Sequence, residues 1–156
     1  MPRRKYKKEK KNVEDPKYGD RVVGMTINAI LRRGKKSVAE RIVYGAFDEI
    51  EKKTGKDPTQ VFSQAIRNIK PTVMVKSRRV GGATYQVPIE VDSERGLAIA
   101  IRWLVSFSKE RKGMSMERRL CEELIEASEG RGGAVKKRQD THKMADANRA
   151  FSHYRF

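Results

Sequence analysis

The stretch that decides the fold runs from Val73 to Val91, with the sequence V-M-V-K-S-R-R-V-G-G-A-T-Y-Q-V-P-I-E-V. Two alternating, β-branched runs flank the pair Gly81-Gly82, a pattern that predicts a β-hairpin. A three-residue loop that includes Ala83 would gather the apolar side chains of both strands on one face, whereas a two-residue loop would scatter them. We therefore predict the three-residue loop, with the pairs Val73–Val91, Val75–Ile89, Ser77–Val87 and Arg79–Tyr85.

The tip of the predicted hairpin is cationic. It carries Lys76, Arg78 and Arg79 beside Tyr85, whereas the root of the hairpin is apolar. Pro88 has no backbone donor, which suits a strand whose outer edge meets solvent or a ligand. Solvated arginines also occur on ordinary surface hairpins, but the charge of the whole chain favours an arm that projects from a body and binds a polyanion.

The composition of the chain is strongly basic. Its 156 residues suffice for one domain, and 36 Lys and Arg against 20 Asp and Glu give a net charge of +16. A polyanion would relieve the self-repulsion that this charge produces. No run approaches the roughly 20 apolar residues of a membrane-spanning helix, and the basic start lacks the apolar stretch of a secretory signal. We therefore expect a cytoplasmic protein that binds nucleic acid and no membrane.

The sequence offers few groups for catalysis or metal binding. Cys121 is the single cysteine, and its apolar neighbours predict a buried thiol. The two histidines join no nucleophile or ligand set, and we expect His142 to be exposed on the last helix. The glycine-rich segment from Gly130 lacks the spacing of a phosphate-binding Walker loop. We therefore expect no enzymatic activity, no metal and no cofactor.

Helix start signals recur along the rest of the chain. Asp20, Asp57 and either Asp92 or Ser93 are predicted N-caps. Ser37 with Glu40 forms a predicted capping box, and Ser115 is predicted to cap a fifth helix. The segment 130–138 is predicted to connect that helix to the last one.

These elements define the fold class as mainly α. We predict a single-domain bundle of five to six helices with one extended β-hairpin inserted between the third and fourth helices. Residues 1–17 form a predicted basic, flexible N-terminal tail, because they hold too few apolar groups to order themselves. Residues 18–156 form the predicted helical RNA-binding domain, with the β-hairpin arm at 73–91.

Positive charge falls into four clusters, which are the tail, the segment 32–36, the tip of the hairpin and the segment 130–138. Arginine forks bind phosphate and tyrosine rings stack on unpaired bases, and an irregular RNA offers both. We find no clear helix-turn-helix or zipper, which argues against a common reader of duplex DNA. The alternative on physical grounds is an architectural DNA-binding protein that uses a basic β-arm.

Three long motifs resemble one known family. They are K-S-R-R-V-G-G-A-T-Y-Q-V-P at 76–88, E-G-R-G-G-A-V-K-K at 129–137 and A-N-R-A-F-S-H-Y-R-F at 147–156. Together they resemble the bacterial family of small ribosomal subunit protein seven over essentially the full length of the chain. The family's usual final tryptophan is replaced by Phe156, and the chain lacks the C-terminal extension of some relatives.

The resemblance implies an all-helical fold with an extended hairpin and a role as a primary ribosomal RNA-binding protein. Family members bind the 3′ major domain of 16S rRNA, nucleate assembly of the head of the small subunit, and lie near the exit-site tRNA and the messenger RNA (mRNA). The implied partners are 16S rRNA, exit-site tRNA and mRNA, and neighbouring head proteins that include protein eleven.

The resemblance and the basic clusters together give candidate residues for each contact. The candidate rRNA contacts are Arg3, Arg4, Lys5, Lys7, Lys8, Lys10, Lys11, Arg32, Arg33, Lys35, Lys36, Lys76, Arg131, Lys136, Lys137 and Arg138. The implied arm near tRNA and mRNA consists of Arg78, Arg79, Gly81, Gly82 and Tyr85. The C-terminal residues that would lie toward tRNA and a neighbouring protein are Arg149, His153, Tyr154 and Arg155.

Overall fold

The computed structural model describes residues 14–154, without the side chain of Tyr154. Over these residues the chain is mainly α, with a two-stranded antiparallel hairpin between the third and fourth helices, as predicted. The elements are α1 (Arg21–Ile30), α2 (Lys36–Thr54), α3 (Pro58–Ile69), β1 (Val73–Val80), β2 (Ala83–Glu90), α4 (Ser93–Glu110), α5 (Met116–Ser128), α6 (Gly133–Ala147) and the 3₁₀ helix η1 (Arg149–Tyr154). None of the described helices is both long and apolar enough to cross a lipid bilayer.

Aspartate side chains start three of the helices, as predicted. The carboxylates of Asp20, Asp57 and Asp92 accept the backbone N–H two residues further on, at 2.7, 2.9 and 3.3 Å. Each bond satisfies a donor that the first turn of a helix leaves without an intrahelical partner. The predicted capping box is wrong, because α2 begins at Lys36 and Ser37 therefore lies inside its first turn.

The hydrophobic core lies where the helices meet. Helix α4 contacts α1, α3, α5 and α6, α5 contacts α2, α3, α4 and α6, and α3 contacts α2, α4, α5 and α6. These three helices therefore occupy the middle of the body. Phe47 and Phe62 are buried with ring centroids 5.4 Å apart. Cys121 is buried in this core as predicted, and burial is the main factor that raises the pKa of its thiol.

The hairpin closes through a two-residue turn, so the predicted three-residue loop is wrong. Gly81 and Gly82 have φ angles of +57° and +90°, values that glycine adopts without strain and that match the right-handed twist of the strands. The observed register pairs Val73 with Glu90, Met74 with Ile89, Val75 with Pro88, Lys76 with Val87, Ser77 with Gln86, Arg78 with Tyr85, Arg79 with Thr84 and Val80 with Ala83.

The observed register still buries an apolar stripe, but a different one from the stripe we predicted. Met74, Ile89, Val87 and Tyr85 share one face of the hairpin. Val87 is only 1% exposed. The hairpin packs on α6 and η1, where the Tyr85 and Phe151 ring centroids are 5.2 Å apart. Residues 76–84 are all exposed, so the tip projects while the root is anchored.

Candidate nucleic-acid interface

The turn between α1 and α2 carries the first cationic cluster. The chain leaves α1 through Arg33 and Gly34, both with positive φ, at +52° and +74°. Arg32, Arg33 and Lys35 are exposed, and no carboxylate lies within ion-pair distance of them among residues 14–154. Lys36 differs, because its ammonium lies 3.4 Å from the Glu40 carboxylate. The turn therefore presents three unpaired cations and one that is partly neutralised.

The start of α6 carries the second cluster, and its geometry corrects our prediction. Helix α6 begins at Gly133, so Lys136, Lys137 and Arg138 lie on a helix rather than in a connecting segment. Lys136 and Lys137 are exposed without an ion pair among the described residues, whereas Arg131 pairs with Glu129. The helix therefore holds these lysines in a fixed orientation.

Helix α6 is fixed in place by a buried carboxylate. Glu123, on α5, is 1% exposed, and its Oε1 accepts the N–H of Ala134 at 2.9 Å. Gly133 approaches α4 so closely that a Cβ there would lie 2.6 Å from Cδ1 of Phe107. The other Glu123 oxygen accepts two hydrogen bonds from Arg111, which directly follows α4. Three helices thus meet at one side chain.

The end of α6 holds the root of the hairpin. The Nε2 atom of His142 accepts the backbone N–H of Thr72 at 3.2 Å, directly before β1. His142 is half-buried, so our expectation of an exposed histidine is wrong. Burial, and then the charge of Arg138, lowers its pKa. The neutral imidazole of His142 therefore connects α6, which carries the second cluster, to the root of the arm.

The arm presents its cations freely. Lys76, Arg78 and Arg79 are exposed and have no ion pair among the described residues. Arg78 lies opposite Tyr85, and Arg79 opposite Thr84, so the two arginines point to opposite faces of the ribbon. The arm therefore offers positive charge on both faces.

A third set of cations on α4 was missed by sequence analysis. Arg95, Arg102 and Lys109 recur every seven residues, which places them two turns apart on one side of the helix. They escaped notice because they are not neighbours in sequence and lie within a strongly apolar run. The seven-residue spacing was the signal that could have identified them.

Helix α5 carries a group of paired carboxylates. Helix α5 carries four glutamates against two arginines. Three of these glutamates, Glu122, Glu123 and Glu126, all pair with Arg111, and Lys53 also pairs with Glu122. The hydrogen bond with Glu126 makes the largest contribution to a raised pKa of Arg111, so this guanidinium stays charged. Three glutamates of α5 are therefore neutralised, close to the start of α6.

Part of the predicted interface lies outside the described residues. These positions are Arg3, Arg4, Lys5, Lys7, Lys8, Lys10, Lys11 and Arg155. Arg149 and His153 are exposed at η1, next to the strand that carries Tyr85, and Tyr154 is described by its backbone alone. The tail boundary at residue 17 stays a prediction.

The first described residues pack against the body. Asp15 is 3% exposed and accepts the phenol hydrogen of Tyr44, on α2, at 2.7 Å. Its other oxygen accepts the backbone N–H groups of Lys17 and Tyr18 at 3.1 and 2.9 Å. The ammonium of Lys17 lies over the Tyr18 and Tyr44 rings, 5.1 and 4.9 Å from their centroids. The segment before α1 is therefore held on α2.

Within residues 14–154, no group of three or more His, Cys, Asp or Glu side chains is arranged to hold a metal ion. The described site is thus a set of exposed cations on α1–α2, α4, α6 and the arm. Such a surface can neutralise phosphates at several points at once, while the helices fix the distances between these points.

The chain also matches a known protein family over most of its length. The family model for ribosomal protein S7p/S5e matches residues 2–149. The chain is 60% identical to small ribosomal subunit protein uS7 of Cupriavidus necator and 58% identical to that of Nitrosospira multiformis. It is 54% identical to the uS7 protein of an Anaeromyxobacter species, and all three alignments cover the full length of both chains.

These matches extend over the helical body, the hairpin and the cationic surfaces described above. They confirm the family resemblance of the three motifs, the location in the ribosome, which is cytoplasmic in bacteria, and the expectation that the chain is no enzyme. The chain therefore belongs to the ribosomal protein S7p/S5e family and is an RNA-binding structural protein of the small ribosomal subunit.

Proposed function

We propose that this chain is a primary binder of 16S rRNA that attaches to the 3′ major domain and nucleates assembly of the subunit head. The observation that carries the proposal is the set of exposed cations on the body that have no ion pair among the described residues. Exposed cations that form no ion pair within residues 14–154 lie on the α1–α2 turn, α4 and α6, and the helices hold them at fixed positions relative to one another. Helices that converge at an RNA junction repel each other, and cations fixed on a rigid body would relieve that repulsion.

In this proposal the contacts divide between the body and the projecting elements. Arg32, Arg33, Lys35 and Lys36 on the turn and Lys136, Lys137 and Arg138 on α6 contact rRNA, together with Arg131, Lys76 and the basic tail. The tip of the arm, with Arg78 and Arg79, lies toward exit-site tRNA and mRNA. The C-terminal residues from Arg149 lie toward tRNA and protein eleven. The contact between the hairpin and η1 supports this division, because it places the arm and the C-terminus side by side.

A competition experiment tests the proposal. The chain is bound to a labelled RNA junction from the 3′ major domain and challenged with unlabelled duplex DNA of equal length across a salt series. If on the order of six phosphates are neutralised, affinity for the RNA falls about a thousandfold between roughly 50 and 200 mM salt. Preference for the duplex would overturn the proposal in favour of an architectural DNA-binding protein, and a flat salt response would overturn its electrostatic basis.

The division of labour has its own test. Replacing Arg78 and Arg79 with alanine should leave junction affinity largely intact, because these residues lie on the exposed arm and not on the body. The matched control replaces Lys136 and Lys137 with alanine, which should weaken junction binding and reduce the salt slope. Loss of most junction affinity in the arm variant would move the arm into the primary rRNA site.

A further inference from the structure

A groove runs between α1 and α4. Of its lining residues, only Arg102 and Lys109 belong to the cationic sets described above. Its volume is about 630 Å³, within the range of pockets that hold small organic ligands. Its floor is apolar, and the polar lining that the described part of the chain supplies consists of amide, hydroxyl and cationic groups without a carboxylate. The lining residues are Met25, Asn28, Ala29, Ala98, Ile101, Arg102, Val105, Ser106 and Lys109.

The two ends of the groove differ in charge. At the helix starts, Arg21 on α1 lies 3.2 Å from Glu94 on α4, so this end is neutralised. Toward the other end lie Arg102 and Lys109, neither with an ion pair among the described residues. Burial, and then the nearby charge of Arg32, lowers the pKa of Lys109. This end of the groove is therefore cationic.

The apolar floor, the amide and the cations of the groove together suit one class of ligand. An apolar floor desolvates a flat ring, an amide can hydrogen-bond the edge of a base, and a guanidinium or ammonium binds the attached phosphate. The tail of this chain is excluded as the occupant by charge, since residues 1–13 carry seven Lys and Arg against one Glu. An anionic occupant with an apolar face is required, and unpaired nucleotides of an RNA have that character.

We propose that the α1–α4 groove binds an unstacked nucleotide of the bound RNA, with the base on the floor formed by Ala29, Ala98 and Ile101 and the phosphate between Arg102 and Lys109. Asn28, in the last turn of α1 and in the lining of the groove, faces the base edge. This inference rests on the proposed function and adds to it a contact that depends on apolar shape as well as on charge.

Filling the groove tests the role of shape. Ala98 is exposed, so Ala98→Leu adds bulk to the floor without disturbing the core. We expect about tenfold weaker binding to the junction RNA at an unchanged salt slope, because an ejected base loses its stacking surface while every cation remains. The matched control is Ser63→Leu, which places the same side chain in a separate depression between α3 and α5 and should leave affinity unchanged.

Removing the cations tests the phosphate contact. Arg102→Ala and Lys109→Ala should each weaken binding and lower the salt slope by about 0.7, the value for one phosphate of a single strand. Glu110→Ala, an exposed neighbour outside the groove, is the control that should change neither quantity. Equal RNA affinity of the wild type and all groove variants would overturn the inference and leave an acidic protein helix as the occupant that fits this charge.

A local cleavage probe distinguishes a failure of the groove contact from a failure of RNA binding as a whole. The native Cys121 is buried, so a cysteine at position 98 can be labelled selectively with an iron chelate that cleaves nearby RNA. Cleavage should centre on a few nucleotides with Ala98→Cys and be absent with Ser63→Cys. No cleavage on an RNA that still binds tightly would overturn the groove alone, whereas failure of the wild-type chain to bind the RNA would overturn the proposed function.

Discussion

The carboxylate of Glu123 accepts two hydrogen bonds from Arg111, at 3.0 Å from Nε and 2.7 Å from Nη2, while its other oxygen accepts the N–H of Ala134. Glu123→Ala leaves the buried N–H of Ala134 without its acceptor, while Arg111 keeps its ion pairs with Glu122 and Glu126, so the free energy of unfolding should fall by about 1–3 kcal/mol. Glu110→Ala, at an exposed position, should stay within about 0.5 kcal/mol of the wild type. Urea unfolding monitored by circular dichroism measures both, and equal stability of the two variants would contradict the role of Glu123.

The contact between Asp15 and Tyr44 should appear in a tyrosine titration. Burial first, and then the hydrogen bond to Asp15, raises the pKa of Tyr44 to about 12. Among the five tyrosines, one should therefore ionise late in an absorbance titration, and Asp15→Asn should bring it closer to the usual value of 10.

The same shift links folding to pH. Above pH 10 the tyrosine of the unfolded chain loses its proton while that of the folded chain keeps it, so the contribution to stability is complete below pH 10 and is lost as pH rises toward 12. Tyr44→Phe should remove this component of the pH dependence. An identical alkaline profile in the variant would show that Tyr44 is not its source.

His142 should make the root of the hairpin sensitive to acid. Its Nε2 accepts the Thr72 N–H only while the imidazole is neutral, and burial and Arg138 lower its pKa whereas Asp146 raises it. Because the folded pKa is lowered, this contribution to stability is complete above pH 6.5 and is lost as pH falls below it. Hydrogen exchange measured by NMR should show reduced protection of the Thr72 amide below that pH. His142→Gln keeps an acceptor that does not titrate, so protection in this variant should be independent of pH.

The ring contact between Tyr85 and Phe151 should couple the arm to the C-terminus. Aromatic pairs at this spacing contribute about 0.5–1.5 kcal/mol beyond the burial of their area. A double-mutant cycle with Tyr85→Leu and Phe151→Leu should return a coupling energy in that range when unfolding free energies are compared. A value within error of zero would mean that η1 and the arm are held independently.

Residues 1–13 of the tail should contribute to binding without contributing to folding. A chain that begins at residue 14 keeps Asp15 and its contacts with Tyr44 but loses seven Lys and Arg. We expect weaker RNA binding and a smaller salt slope, because fewer phosphates are neutralised, together with an unchanged melting temperature. A truncation that also removes Asp15 is the control, and it should melt earlier. A large loss of stability in the first truncation would place the tail within the folded domain.

Local signals in the sequence predicted most of the architecture. Asp20, Asp57 and Asp92 each cap a helix through a hydrogen bond to a residue two positions away, so the pattern is complete within a few residues. The position of the hairpin was predictable from equally local signals. Pro71 ends α3, and Gly81-Gly82 marks the turn between the strands.

Features that depend on distant residues were not predictable in this way. The register of the hairpin follows from a turn in which both glycines take positive φ, and Val87 and Tyr85 are then covered by α6 and η1, far away in sequence. The start of α6 at Gly133 is fixed by Glu123 on another helix. The cations of α4 form a line only once the helix is built, so a search for runs of charge does not detect them.

The two-residue turn also determines how an anionic partner can surround the ribbon. Neighbouring positions on a strand alternate in direction, so Lys76 and Arg78 extend from one side and Arg79 from the other. A three-residue turn would have changed the pairing partner of each of these side chains. The exposed tip of the ribbon can therefore contact phosphates on both of its faces at once.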